Sequence, residues 1–407
     1  MSVEGLEEQR QRRAKGRQTA ACPCCGSSDT RIIYRVESVP VHSCVLLDSL
    51  AAARSFPRRP LELAFCDACG FAFNHLFDEA IIHYSSQFEE SQHFSEVFNA
   101  FARSLAREIA LRCQVEGKTI VEVGCGKGEF LSELCELGNA SGIGIDPGYR
   151  SDPGRKQDAD RVKFLVEPFG PQHHRLAADV LLCRHTLEHI PAPRDFLRSL
   201  RPLVEGRQDA WVVFETPDFE RVLRDGAFWD IYYEHCSYFS LGAHARLFRR
   251  QGFTIDEARL AYHRQYIVQY ARPASAQRTR EQAGDDLQAM RALADGFADR
   301  VHRVQKLWHE RISVASQAGR RVVLWGGGSK AVSLLTTLDF GPEVIAAVDI
   351  NPYKQGKFMP GTGHRVVAPQ ALQELQPDLV IVMNPVYVAE VSEELARLGL
   401  RPEVQAL

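Results

Sequence analysis

The 407-residue chain lacks an apolar run of the ~18 residues needed to span a membrane. Its first twenty residues also lack the apolar stretch of a signal peptide. No charge of one sign dominates, because 49 basic and 52 acidic side chains leave a formal net charge of -3. That balance gives no electrostatic drive toward nucleic acid or an anionic membrane. The sequence predicts a cytoplasmic protein with no nucleic-acid or membrane partner, and residues 1–20 are expected to form a disordered tail.

The cysteine content does not match a disulfide framework, since 11 cysteines are scattered through an apparently cytosolic chain. Two C-x-x-C-G units, at residues 22–26 and 66–70, stand out in a loop-rich region. Each unit places two thiolates on one tight turn, and two such pairs can hold a structural zinc ion. The predicted ligands are Cys22, Cys25, Cys66 and Cys69. Cys24 is expected to be a spectator, with Cys44 and His42 as alternative ligands.

Four patterns follow the tail along the chain and predict its domains. The loop-rich residues 21–85 are the predicted zinc-binding domain. Short apolar strands alternate with helical patterns over residues 86–272, which is typical of a doubly wound parallel sheet covered by helices. A helical connector is predicted over residues 273–319, and a second α/β unit with a Rossmann-like beginning over residues 320–407.

A glycine-rich turn follows the first strand of the central region. Glu122 ends that strand, and Gly124, Gly126 and Gly128 follow it. Glycines allow a tight turn and the close approach of a ligand to the backbone. Asp146 ends the next strand, where a carboxylate can accept hydrogen bonds from both hydroxyls of a ribose. These features predict a cofactor site, in which Glu122 orients the cofactor's amino-acid part.

The E-x-G-x-G-x-G order resembles the first motif of class I S-adenosylmethionine methyltransferases, whereas a dinucleotide fold would more often show G-x-G-x-x-G. Residues 179–191, DVLLCRHTLEHIP, resemble the fourth strand and following loop of that family. Residues 214–217, FETP, resemble its fifth strand and turn. The resemblance implies the class I fold and S-adenosylmethionine as cofactor, and Cys183 of the fourth strand joins the cofactor-binding candidates.

The order of parts is similar to that of the deoxysugar C-methyltransferases, which have an N-terminal zinc domain, a class I methyltransferase domain and a C-terminal Rossmann-like domain. Residues 232–240, YYEHCSYFS, resemble the catalytic Y-x-E-H…F-S stretch of that family. Residues 351–356, NPYKQG, with PGT at 360–362, resemble its D-x-x-P-x-K-Q…P-G segment. His189 falls at another active-site histidine of the family.

The resemblance implies a nucleotide-sugar substrate, a 4-keto sugar attached to thymidine diphosphate. A base removes the proton beside the ketone, and the resulting enolate attacks the methyl group. A histidine can be a neutral base at pH 7 because its pKa is about 6.5. His235 is the predicted base, supported by Glu234, Tyr232 and His189. The predicted substrate contacts are Tyr84, Tyr238 and Lys354.

Other interpretations stay open. Departures from the family pattern at residues 85–92 and 326–330 allow an O- or N-methyltransferase acting on another small acceptor. A turn at residues 326–328 with Asp349 at the next strand end could bind a dinucleotide, which would make the chain a nicotinamide-dependent oxidoreductase. A non-catalytic zinc-containing interaction protein is a third alternative. Independently of it, the aromatic residues between 232 and 239 could be core residues and Glu234-His235 a solvated pair. The expected oligomeric state is a monomer or homodimer.

Overall fold

The computed structural model describes residues 20–82, 88–89, 91–151, 161–274 and 286–407. The predicted tail therefore lies outside the described residues, apart from residue 20. Within these ranges, no helix combines the length and the apolar character needed to cross a membrane.

Strands and helices alternate through most of the described chain. The strands are β1 Thr30–Pro40, β2 Arg58–Cys66, β3 Ala72–Asn74, β4 Thr119–Val123, β5 Ser141–Ile145, β6 Val162–Leu165, β7 Val180–Arg184, β8 Trp211–Pro217, β9 Ser237–Tyr238, β10 Phe253–Ala261, β11 Tyr266–Pro273, β12 Val322–Trp325, β13 Val344–Val348, β14 Val366–Val367, β15 Leu379–Val382 and β16 Glu403–Ala406. The helices are α1 Leu50–Arg54, α2 Glu96–Cys113, α3 Glu129–Gly138, α4 Pro193–Leu200, α5 Phe219–Asp225, α6 Leu241–Arg250, α7 Leu287–Asp295, α8 Phe297–Gln317, α9 Ser329–Leu338, α10 Leu372–Leu375 and α11 Val388–Arg397.

The central sheet has the strand order β10-β11-β8-β7-β4-β5-β6. Its strands from β6 to β8 pair in parallel, while β11 runs antiparallel to both of its neighbours. The middle strands β4, β7 and β8 are buried and mainly apolar, as expected of a parallel sheet covered on both faces by helices, and their charged residues Glu122, Arg184 and Glu215 lie toward the carboxyl ends. This sheet confirms the predicted class I methyltransferase fold.

The C-terminal sheet has the order β14-β13-β12-β15-β16, and all its pairs are parallel. The helix α9 follows β12 directly after the turn at residues 326–328, as in the first half of a Rossmann fold. This arrangement confirms the predicted second α/β unit.

The N-terminal sheet is antiparallel and has the order β1-β2-β3-β9. Its last strand comes from the predicted catalytic stretch, since Tyr238 pairs with Ala72 and Ser237 pairs with Phe73. The segment that carries the predicted base is therefore fixed by the cysteine-rich region. The exact division into domains stays a prediction.

The helices α7 and α8 are separated only by Gly296. Their buried side chains, which include Met290, Phe297 and Trp308, belong to one core that also contains residues of the N-terminal and C-terminal sheets. The amphipathic pattern of this segment thus reflects packing between parts of the molecule.

Candidate active site

One cavity of about 1180 Å³ lies at the carboxyl ends of the strands of both parallel sheets. The turns after β4, β5 and β7 line one part of it, and the turns after β12, β13 and β15 line another. Ligands of open α/β sheets bind at this edge, because the loops there are free to vary while the strands hold them in place. The cavity is large enough for more than one small molecule.

The cofactor loop depends on its glycines. Gly124, Gly126 and Gly128 have φ angles of 74°, 55° and 77°, a region that favours glycine. A Cβ at Gly124 would lie 1.9 Å from Oγ1 of Thr186, so the loop after β7 packs directly on this turn. Gly124 and Gly126 line the cavity, whereas Gly128 caps helix α3.

Two carboxylates lie at this turn. Glu122 is buried, its Oε2 has no hydrogen-bond partner among the described residues, and burial raises its pKa to about 7. Asp146 accepts hydrogen bonds from the backbone N–H groups of Gly126 and Gly148, at 2.9 and 2.7 Å. A carboxylate has about four acceptor positions, so Asp146 can accept further bonds from a ligand. The donors and charges of the turn fit the ribose and the ammonium group of S-adenosylmethionine.

Cys183 is placed differently from its prediction as a cofactor contact. Its side chain is fully buried within β7, in the core beneath the sheet, and it does not line the cavity. The next residues along the chain, Arg184 and His185, line the cavity instead. The reason is that successive side chains of a strand point to opposite faces, and an all-apolar strand gives no sign of which face meets the ligand.

The predicted catalytic residues come together at the cavity wall. The rings of His235 and His189 have centroids 4.6 Å apart, and the ring of Tyr232 lies 4.1 Å from that of His235. Burial lowers the pKa of both histidines, strongly for His235. Both rings are therefore neutral at pH 7, as a general base must be. The Nδ1 atom of His189 lies 3.1 Å from the backbone oxygen of Glu234, which orients this ring.

Glu234 is buried beside these rings. Its Oε1 accepts hydrogen bonds from N–H and Oγ–H of Ser43, at 2.7 and 2.5 Å. Burial raises the pKa of Glu234 to about 7, and the donors from Ser43 oppose that rise. Nothing in the sequence around Ser43 indicates this contact, which joins residues 191 positions apart.

A second group of charged side chains in the cavity wall, centred on His185, is not among the sequence predictions. His185 adopts φ 47° and lies with its ring nitrogens 3.4 Å from Glu215 and 3.6 Å from Glu188. Burial opposes its protonation, but these carboxylates prevail and raise its pKa to about 9. Arg184 donates to Glu215 at 2.6 Å, and the pKa of that carboxyl is about 2 despite its burial. The signal in the sequence was the charged run RHTLEH directly after an apolar strand.

The predicted substrate contacts divide into three cases. Lys354 is buried in the cavity wall, with Nζ 3.3 Å from Oδ2 of Asp349. Tyr238 also lines the cavity, and its hydroxyl donates to the backbone oxygen of Tyr232 at 3.3 Å. Tyr84 lies outside the described residues.

The C-terminal turn contributes a further cation to the cavity. Lys330, in the first turn of α9, forms an ion pair with Asp230, whose pKa falls to about 2 despite burial because Lys330 and Arg221 lie beside it. Helix α9 begins at Gly328 without a side-chain cap. Free N–H groups and two nearby ammonium groups are suited to an anionic ligand.

The four predicted zinc ligands lie outside this cavity and close together. Their sulfur atoms are all within 4.8 Å of one another, and the Cys22–Cys69 and Cys25–Cys66 pairs are 3.7 and 3.6 Å apart. Thiolates about 2.3 Å from a tetrahedral zinc ion lie ~3.8 Å apart, so the arrangement fits the metal. Cys24 is buried beside them, while Cys44 lies in the cavity wall and is not part of the cluster.

Comparison with known proteins gives two adjacent family matches. A model described as a methyltransferase domain matches residues 92–258, and one described as a C-methyltransferase C-terminal domain matches residues 260–401. The C-methyltransferase NovU of Streptomyces niveus is 25% identical over 389 residues, which cover 91% of this chain and 90% of that protein.

Other matches are confined to the central region. A ubiquinone biosynthesis O-methyltransferase of Caulobacter vibrioides is 29% identical over 136 residues, or 27% of this chain and 49% of that protein. The solved magnesium protoporphyrin IX methyltransferase of Synechocystis is 14% identical, with a TM-score of 0.35 over 44% of this chain and 84% of that one. A superposition this loose adds nothing to the family matches.

Proposed function

We propose that this chain, a member of the C-methyltransferase family and an S-adenosylmethionine-dependent methyltransferase, methylates a carbon beside the ketone of a nucleotide-linked deoxysugar. The observation that carries the proposal is the single cavity that joins the cofactor loop to the C-terminal glycine turn. His235, His189 and Tyr232 lie in the wall of the same cavity. A substrate anchored on one sheet could thus reach a methyl group held on the other.

The proposed division of labour follows from charge. The turn with Glu122 and Asp146 would hold S-adenosylmethionine, which supplies an electrophilic methyl group. The turn with Lys330 and Lys354 would hold the diphosphate of a thymidine-diphosphate sugar. The keto sugar would then extend toward His235.

His235 is the proposed base. Its neutral ring would take the proton from the carbon beside the ketone, and the electrons of that C–H bond would pass into an enolate. The hydroxyl of Tyr232 could donate a hydrogen bond to the enolate oxygen, since burial keeps it protonated by raising its pKa far above the usual value. The enolate carbon would then form the new bond to the methyl carbon, while the bond between that methyl carbon and the sulfonium sulfur would break and leave its electron pair on the sulfur of S-adenosylhomocysteine.

The test is to incubate the enzyme with a thymidine-diphosphate 4-keto deoxysugar in deuterium oxide and to locate exchange and methylation by NMR. Exchange of the proton at the methylated carbon, or a slower turnover of the substrate deuterated there, is expected. A methyl group found on oxygen or nitrogen would reject the enolate route and favour the alternative acceptors. Turnover with a nicotinamide cofactor would favour the oxidoreductase alternative.

His235→Gln should lower the turnover rate about 10²–10⁴-fold, the usual contribution of a general base. Affinity for S-adenosylhomocysteine should stay at the wild-type value, as measured by calorimetry. His244→Gln is a matched control, because His244 is buried within α6 and does not line the cavity. A His235→Gln enzyme with wild-type turnover would move the base to Glu234 or His189.

We also propose that Cys22, Cys25, Cys66 and Cys69 hold one structural zinc ion. The metal would hold together the two turns at residues 22–26 and 66–70, whose cysteines pack against the buried apolar side chains of Phe71 and Phe73. Freshly purified protein should contain one equivalent of zinc by elemental analysis, and Cys69→Ser should lower both zinc content and thermal stability. Cys113→Ser, at a buried cysteine in α2, controls for the loss of any thiol. Protein purified without chelator and free of zinc would reject the site.

A further inference from the structure

Ser43 belongs to the loop between β1 and α1, in the cysteine-rich part of the chain. Both of its donors, the backbone N–H and the hydroxyl, bind the same oxygen of Glu234. Ser43 and Glu234 are each 1% exposed, so solvent does not compete for these bonds. Hydrogen bonds from two donors to a carboxylate are strong in such an environment.

The loop of Ser43 is also attached to the C-terminal part of the molecule. Sγ of Cys44 lies 3.1 Å from Oγ of Ser329, in the glycine turn that we assign to the diphosphate. Leu47 and Phe358 exchange two backbone hydrogen bonds of 2.9 and 2.8 Å. Phe358 lies four residues after Lys354, so the loop is anchored beside both parts of the proposed nucleotide-sugar site.

We propose that Ser43 is a positioning residue for methyl transfer, which holds Oε1 of Glu234 and leaves Oε2 to accept a hydrogen bond from the substrate. The proposal rests on the proposed function, since it assigns a role to Glu234 in that reaction. It also gives the N-terminal region a part in the active site beyond any metal that it binds. Oε2 of Glu234 is a buried oxygen with no hydrogen-bond partner in the described part of the chain, and Glu234 belongs to the cavity wall.

The charge on Glu234 is part of this role. Burial raises its pKa to about 7, and the donors of Ser43 and the N–H of Cys44 favour the ionised form. The other titratable groups of the cavity wall that interact with Glu234 or with its neighbours are Tyr232, Tyr238, Cys44, Asp230, His185, His189, His235 and Lys330. His189 and His235 are neutral at pH 7, and burial keeps the two tyrosines protonated. The hydroxyl of Ser43 is therefore the main group favouring ionised Glu234 that a single substitution can remove.

The first test compares Ser43→Ala with wild type, using S-adenosylmethionine and a thymidine-diphosphate 4-keto deoxysugar over a range of pH. We expect kcat to fall about tenfold near neutral pH. The acidic limb of the profile should move up by about one pH unit, because the carboxylate has lost a donor. KM and S-adenosylhomocysteine affinity should hardly change, and Ser43→Thr should restore much of the rate.

The second test needs no substrate. The raised pKa of Glu234 means that its contribution to folding is present below the ordinary value of 4.5 and is lost as pH rises through about 7. Removal of the Ser43 hydroxyl should raise the pKa of Glu234 further and so increase the loss of folding free energy with pH. The destabilisation by Ser43→Ala should therefore grow over the same pH range. In a Glu234→Gln background that pH dependence should disappear. Ser49→Ala, which removes a hydroxyl that caps α1, is the matched control.

The outcomes separate the inference from the proposed function. A rate loss of the same factor at every pH, with effects of Ser43→Ala and Glu234→Gln that simply add, would show a packing role and overturn the inference. A product methylated on oxygen would reject carbon methylation, whereas the unfolding experiment would still report whether Ser43 controls the charge of Glu234.

Discussion

Two glycine turns line the cavity, and each is closed by an aspartate from the next strand. Asp146 accepts hydrogen bonds from Gly126 N–H at 2.9 Å and from the amide two residues beyond itself at 2.7 Å. Asp349 accepts the equivalent bonds from Gly327 N–H at 2.9 Å and from the amide two residues beyond itself at 2.8 Å. The same local solution is thus used twice in one chain.

Each turn has charged groups of both signs, but the two sets differ, and Lys127 and Arg184 accompany the carboxylates of the first turn. Buried Glu122 lies at the first turn, with its Oε2 unpartnered in the described structure. Two ammonium groups lie at the second turn. Lys330 forms an ion pair with Asp230, and Lys354 forms one with Asp349. This difference is the basis for proposing a cationic ligand at the first turn and an anionic ligand at the second. The backbone motif alone therefore does not identify a ligand, because the charged side chains around it decide which ligand charge is favoured.

Among the substitutions at the two turns, Lys354→Gln is expected to have the largest effect on ligand affinity. Loss of a charged donor costs about 1.5–3 kcal/mol, so thymidine diphosphate should bind ~10–100-fold more weakly. Binding of S-adenosylhomocysteine should not change, because its proposed site is the other turn. Calorimetry with each ligand measures both effects.

Lys357→Gln is the control for that substitution. Lys357 lies three residues further on, has Nζ 3.7 Å from Asp48 and does not line the cavity. Equal losses in the two variants would show a general effect of charge, and an unchanged diphosphate affinity in Lys354→Gln would move the anion site away from the second turn.

The comparison also shows what could be predicted from the sequence. The strands that flank both turns are continuous apolar runs followed by glycines, and these patterns predicted both parallel sheets. The position of β9 could not be predicted in this way, because Tyr238 pairs with Ala72 over a long separation and the strand has only two residues. Short strands carry too little periodicity to be recognised.

The site was partly predictable for the same reason. His235 and Glu234 belong to a local motif, and the structure brings them together with His189. Ser43 could not be found, since a serine in a loop has no local pattern that indicates a partner 191 residues away. The face of β7 on which Cys183 lies could not be predicted, because a strand buried on both faces has no alternation of polar and apolar residues.

The next largest effect is expected from Asp146, the aspartate that closes the first turn. Asp146→Ala removes the acceptor for a ribose and also the bonds that hold Gly126, so S-adenosylhomocysteine affinity should fall about tenfold or more. Asp146→Asn keeps one acceptor oxygen and should lose less. The control is Asp179→Ala, because Asp179 accepts from Thr119 N–H at the start of β4, at the other edge of the same sheet. A folded Asp146→Ala variant with wild-type affinity would reject the ribose assignment.

The smallest expected effect is a pH dependence at the first turn, and Glu122 is the group that should cause it. Burial raises the pKa of Glu122 to about 7, although Arg184 acts in the opposite direction. A ligand that carries an ammonium group favours the ionised carboxylate, so S-adenosylhomocysteine should bind severalfold more tightly as pH rises through this value. Folding of the ligand-free protein has the opposite sign: the contribution of Glu122 is present below 4.5 and is lost as pH rises through about 7. Glu122→Gln should flatten both curves, which calorimetry and thermal unfolding measure. If Glu122→Gln instead flattened the pH dependence of thymidine diphosphate binding, the proposed assignment of the two ligands to the two turns would be wrong.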